Sequence, residues 1–132
     1  MDEVGGMLIS AHPLRNFFNT PPFNVNLLYK EWTYPPTNVK EASEHDLFTF
    51  VDLIEVTNGA NSEKENRFTS DIAKYLGMNG TGGSDSHSVQ GIGKSLTVFE
   101  NKITDQESLI FELKAGNFYA AEGLNVGDLK QF

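Results

Sequence analysis

Asp52-Leu53-Ile54-Glu55-Val56-Thr57-Asn58-Gly59 decides the fold class, together with the segment Ser62 to Leu76 and then Gly80-Thr81-Gly82-Gly83-Ser84-Asp85-Ser86-His87. The first run is apolar and closes on an Asn-Gly turn signal, the pattern of a buried strand. Ser62 and Glu65 make an S-x-x-E capping box, and Phe68, Ile72, Tyr75 and Leu76 form one apolar stripe, so residues 62–76 are expected to be helical. Gly77 is the expected stop. The glycine-rich stretch 80–87 reads as a loop. In extended backbone, residues two apart point to the same side, so Asp85 and His87 can face one point. Carboxylate and imidazole are both ligands for Zn, Mn or Fe. An ordinary polar turn accounts for the same residues.

Working toward the N-terminus, Gly6-Met7-Leu8-Ile9-Ser10-Ala11 reads as another buried strand, ended by His12-Pro13. His12 then sits at the C-terminal end of a strand, where α/β folds place their site residues, or is a histidine beside a turn. Residues 14–40 are irregular and rich in aromatics. Pro21-Pro22 and Pro35-Pro36 flank a possible short helix near 25–31. This excursion is either a lid or wall over a site, or simple packing. Residues 38–51 are expected to become helical toward their end, with His45 on the solvated side. Glu55 interrupts an apolar run. Its carboxylate needs pairing, hydrogen bonds or a metal, unless the position is an edge facing water.

Working toward the C-terminus, Ser95-Leu96-Thr97-Val98-Phe99 alternates as a strand does. Thr104 and Glu107 repeat the capping-box spacing before Leu109, Ile110 and Leu113, and Gly116 closes that helix. Residues 117–121 make a weak final strand, and the tail carries no signal. Strands alternating with helices predict one α/β domain over residues 1–132 with mostly parallel pairing.

Composition narrows the function. The 132 residues carry a net charge of −8, which opposes nonspecific nucleic-acid binding. There is no cysteine, hence no disulfide and no thiolate ligand. No apolar run reaches the length of a membrane span, and the acidic start Met1-Asp2-Glu3 lacks the features of a signal peptide. A cytoplasmic location is the expectation. Histidines are only three, His12, His45 and His87.

The succession of Ala11-His12-Pro13, a strand with Glu55 and Asn58-Gly59, a capped helix, Gly82-Gly83-Ser84-Asp85-Ser86-His87 and Ala115-Gly116-Asn117-Phe118 resembles the C-terminal half of the PHP (polymerase and histidinol phosphatase) domain. The resemblance runs from about Gly5 to Tyr119. It implies a distorted seven-stranded β/α barrel with two or three Zn, Mn or Fe ions at the strand ends, acting on phosphoesters. It implies His12, Asp85 and His87 as metal ligands. Glu55 and Asn58 would stand behind them, and Arg15 would reach a substrate phosphate.

The family's opening H-x-H segment has no counterpart in this sequence. The resemblance therefore implies about half a barrel. One such donor set falls short of a multi-ion phosphoesterase centre, so weak metal binding and little turnover are expected of the chain alone. A half barrel also leaves strand edges to be covered by a second copy or by a partner supplying the first half. The implied ligand is a phosphate-ester small molecule or nucleotide. A metal or phosphate-binding assembly module that oligomerises is the competing expectation.

Overall fold

The computed structural model describes residues 4–132; the acidic start at residues 1–3 lies outside them. The fold is mixed α/β with two three-stranded sheets. In chain order the elements are β1 (Ile9–Ser10), α1 (Val39–Ser43), α2 (Leu47–Phe50), β2 (Leu53–Asn58), α3 (Glu63–Leu76), β3 (Gly80–Gly83), β4 (Ser95–Phe99), α4 (Gln106–Ala115), β5 (Phe118–Glu122) and β6 (Lys130–Gln131).

The first sheet is parallel, ordered β1-β2-β3. Its central strand β2 is buried along almost its whole length, as expected of a parallel strand covered on both faces. Strand β1 is much shorter than residues 6–11. The Asp52 carboxylate takes the Leu8 amide at 2.8 Å, and Pro13 has no amide to offer the ladder. Leu8 and Ile9 are also not buried, at 43% and 41% exposure. They lie at the outer edge of the sheet, only partly covered by the described residues.

Helix α3 matches its sequence signals. Both capping-box bonds form at Ser62 and Glu65, and Gly77 closes the helix at φ 66°. Its buried face is more polar than the apolar stripe suggests: Glu65, Asn66 and Thr69 are buried with Ile72 and Ala73, whereas Tyr75 is 57% exposed. The polar half of that face meets the end of β2, where backbone groups need partners.

The glycine-rich stretch is a strand over its first half, a correction to the loop reading. Gly80–Gly83 pairs with β2, and the glycines answer to close approach. A Cβ on Gly82 would lie 2.4 Å from the Leu96 carbonyl oxygen, and one on Gly80 would lie 2.5 Å from the Val56 side chain. Strand β4 thus runs tight against β3, and a side chain joins the two sheets. The Thr97 hydroxyl donates to the Gly82 carbonyl at 2.8 Å and accepts from the Gly82 amide at 3.0 Å.

The second sheet, β4-β5-β6, is antiparallel, so parallel pairing does not dominate as expected. The connection through α4 (Gln106–Ala115) ends where it began, with the Glu100 amide on the Asn117 carbonyl at 3.0 Å and β5 reversed against β4. The capping box of α4 sits one residue later than the T-x-x-E spacing suggests: Asp105 and Ser108 form it. The tail contributes β6.

The short helix near 25–31 does not form, and residues 38–51 hold two short helices rather than one. Buried Asn26 replaces the helix as organiser. Its amide donates to the Pro13 and Arg15 carbonyls at 2.8 Å each, and its oxygen accepts from the Leu28 and Tyr29 amides. Leu14 and Tyr29 enter the main core with Ile54, Val56 and Ile72. Phe17 stacks on Phe68 of α3 at 5.1 Å. His45 is half-buried, not solvated. Its Nε2 donates to the Leu28 carbonyl, its Nδ1 accepts from the Leu47 amide, and its ring stacks on Trp32.

Two substitutions test the junction of the sheets. Gly82→Ala is expected to destabilise by about 1–3 kcal/mol through overpacking against backbone. Thr97→Val, which strips both bonds from Gly82, is expected to cost about 1–3 kcal/mol. Urea unfolding measures both, and midpoints equal to wild type would refute the junction.

Candidate functional site

The two marked segments of the sequence meet at the C-terminal ends of β1, β2 and β3. His12 and Arg15 follow β1, Asn58 ends β2, and Asp85 follows β3. The parallel register compels this meeting. Three strands running the same way put all their exits at one end.

Glu55 and Asn58 of β2 bridge the outer two. Glu55 Oε2 accepts from the His12 amide at 2.7 Å and from Asn58 Nδ2 at 3.0 Å. Of the readings open for Glu55, the structure gives a hydrogen-bonded carboxylate on the central strand. Asn58 is 1% exposed. Its amide nitrogen also lies 3.5 Å from Asp85 Oδ2, and its oxygen accepts from Arg15 at 2.8 Å. Helix α3 braces it from behind: Asn66 Oδ1 accepts the Asn58 amide and Asn66 Nδ2 donates to the Asn58 carbonyl, both at 3.1 Å.

Arg15 reaches furthest across the site. One Nη pairs with Asp85 Oδ2 and also donates to Asn58, while Nε donates to Asn61 at 3.0 Å. A planar guanidinium suits such a span, since its donors point in fixed directions. The Arg15 hydrogen bond holds the Asp85 carboxyl below its ordinary value of 3.8; Arg15's charge, Asn58 and the charge of His12 add to this, against some desolvation.

His12 and Asp85 share a backbone feature. Both take positive φ, 33° and 48°, although neither is glycine. Such conformations cost roughly 1–3 kcal/mol and persist where surroundings over-determine them. Here the surroundings are visible: Glu55 grips the His12 amide, the Arg15 amide closes a turn onto the His12 carbonyl, and Arg15 grips the Asp85 carboxylate.

His87 stands at the rim of this network, its Nδ1 4.0 Å from Asp85 Oδ1. Its side chain is 87% exposed. Nδ1 lies 3.0 Å from the Asp85 carbonyl. A carbonyl only accepts, so Nδ1 donates and Nε2 is left without a protein partner among the described residues. His12 and Arg15 line a cleft of about 370 Å³ with Leu28 and Leu47. Asp85 and His87 line a separate depression of about 460 Å³ with Ser86 and Lys94. The Arg15–Asp85 pair is shared between the two walls.

The donor types suit Zn, Mn or Fe, and within this chain alone they do not gather into a set of three. Among the described residues, no group of three or more His, Asp or Glu side chains stands close enough to hold a metal ion. Asp85 Oδ2 is already engaged by Arg15 and approached by Asn58.

Sequence reasoning misses two contributors, Asn61 and Asn66, and half of the role of a third, Glu65. Glu65 serves twice, completing the α3 cap through Oε2 and taking the Asn16 amide through Oε1 at 2.7 Å. The capping-box spacing marks Glu65 as a cap; nothing local marks its second role.

Residues 63–118 match the model of a family described as PHP-associated, consistent with a PHP C-terminal region. That stretch takes in α3, β3, Asp85, His87 and β4 to the start of β5. Searches of curated proteins and of solved structures give no match. Among the described residues no helix is long and apolar enough to cross a membrane.

The depressed Asp85 carboxyl predicts a pH signature. A lowered folded value stabilises above the unfolded value, and that contribution fades as pH falls through the folded one. The stability gap between wild type and Asp85→Asn is therefore expected to be level from pH 5 to 7 and to shrink below about pH 4. Urea midpoints across this range measure it. A gap that widens on acidification would contradict the pairing.

Proposed function

We propose that this chain is the C-terminal portion of a PHP-type phosphoesterase centre, built on half of a β/α barrel. It contributes His12, Asp85 and His87 as ligands for divalent ions (Zn, Mn or Fe), and the remaining ligands come from a first half carrying the H-x-H segment. Bound in the completed centre, the ions would supply Lewis acidity and an activated water for hydrolysis of a small phosphate ester or nucleotide. Glu55 and Asn58 hold the ligand-bearing turns, and Arg15 stands where a substrate phosphate would meet a cation. The single observation that supports this reading is the convergence of the A-H-P turn on Glu55 and of the S-D-x-H turn on its partner Asn58, at one end of a parallel sheet, with left-handed backbone at His12 and Asp85. The PHP-associated match over residues 63–118 agrees with it.

A second reading has its own observation. Strand β1 ends the sheet, and Ile9 within it and Leu8 before it are exposed. A non-catalytic assembly module that pairs this edge with a second copy would use the same surface.

Metal analysis after equilibration with Mn²⁺ or Zn²⁺ tests the first reading. Wild type is expected to retain metal weakly, and His12→Ala and Asp85→Ala should each retain at least several-fold less. Equal metal in all three samples would remove the site. A metal-free oligomer by solution mass would favour assembly.

A further inference from the structure

The donor set and the implied metal disagree at one residue, and that residue is Arg15. Its guanidinium sits on the carboxylate that the proposed centre needs as a ligand. It is fastened there by two further acceptors, Asn58 and Asn61, and by the backbone of its own turn, where its carbonyl takes the buried Asn26 amide. Separate stretches of the chain therefore hold one cation against Asp85. A divalent ion and this guanidinium would compete for the Asp85 carboxylate: Arg15 holds Oδ2, which Asn58 approaches at 3.5 Å, and its charge opposes a second cation at Oδ1.

We propose that Arg15 is an internal counter-cation that keeps Asp85 from divalent metal in this chain, so that metal enters only when the Arg15 clamp lets go. The clamp is a positioning device. It holds Asp85 in its left-handed turn and the A-H-P turn against β2 while no metal is bound. It also gives Arg15 a second use, because a guanidinium released from Asp85 is free to receive an anion in the His12 cleft, whose wall it already forms. The proposal rests on the metal-ligand reading of Asp85.

Metal titration by calorimetry, with Mn²⁺ and Zn²⁺ alone as probes, tests it. Arg15→Gln is expected to bind roughly tenfold tighter than wild type, the scale of one charge-assisted hydrogen bond. Adding Asp85→Asn to Arg15→Gln should abolish the gain. Asn61→Ala, which removes the Nε anchor and leaves the charge, should give a smaller gain in the same direction. That variant also carries the test if Arg15→Gln fails to fold. In thermal melts, metal should raise the Tm of Arg15→Gln more than that of wild type. If wild type binds metal through His12 and Asp85 and the Arg15 and Asn61 variants bind no tighter, the clamp is refuted and the metal reading stands. If no variant binds metal, both fall.

Discussion

One guanidinium holds together the end of this protein where the parallel strands exit. Arg15 joins the turn after β1 to Asn58 and Asn61 at the end of β2 and to Asp85 beyond β3. The neighbouring chemistry makes the arrangement necessary. Parallel strands deliver their exits to one place, and here Glu55 within β2 and Asp85 beyond β3 both face the Asn58 side-chain amide. Two carboxylates side by side need a cation or donors between them. Arg15 supplies the cation, and the amides of Asn58 and His12 supply donors.

Conformational strain is concentrated at the same place. His12 and Asp85 accept left-handed backbone because their neighbours leave no cheaper arrangement. The supports run deep into the fold. Asn66 on α3 fixes Asn58, the capping Glu65 fixes Asn16, and Asn26 fixes the carbonyls on either side of Leu14. Leu14 and Ile72 are themselves fully buried. The site is thus anchored through polar groups to the apolar core, and the aromatic excursion serves as both packing and wall. Phe17 stacks on α3, while Leu27 and Leu28 line the cleft beside His12.

The two sheets differ in what they offer. The antiparallel one is joined to the first by the Thr97 hydroxyl on Gly82. The parallel one ends at β1, a two-residue strand with apolar neighbours in solvent. In the half-barrel reading that edge is where further strands would join.

Local signals in the sequence determined a good share of this. The Ser62–Glu65 box and Gly77 bound α3 because capping is decided by residues a turn apart. The alternating run 95–99 is β4, and His12, Asp85, Glu55, Asn58 and Arg15 were all legible as residues of interest. Tertiary structure alone decided what those residues do to one another. Only the register of β1, β2 and β3 brings Arg15 onto Asp85 across seventy positions, and no pattern within either segment contains that distance. The same holds for Gly80–Gly83, a strand whose glycines answer to Val56 and Leu96, and for His45, packed against a tryptophan that its own acidic neighbours do not announce. Periodicity and capping act within a few residues, whereas partner choice for a charge depends on where the chain returns.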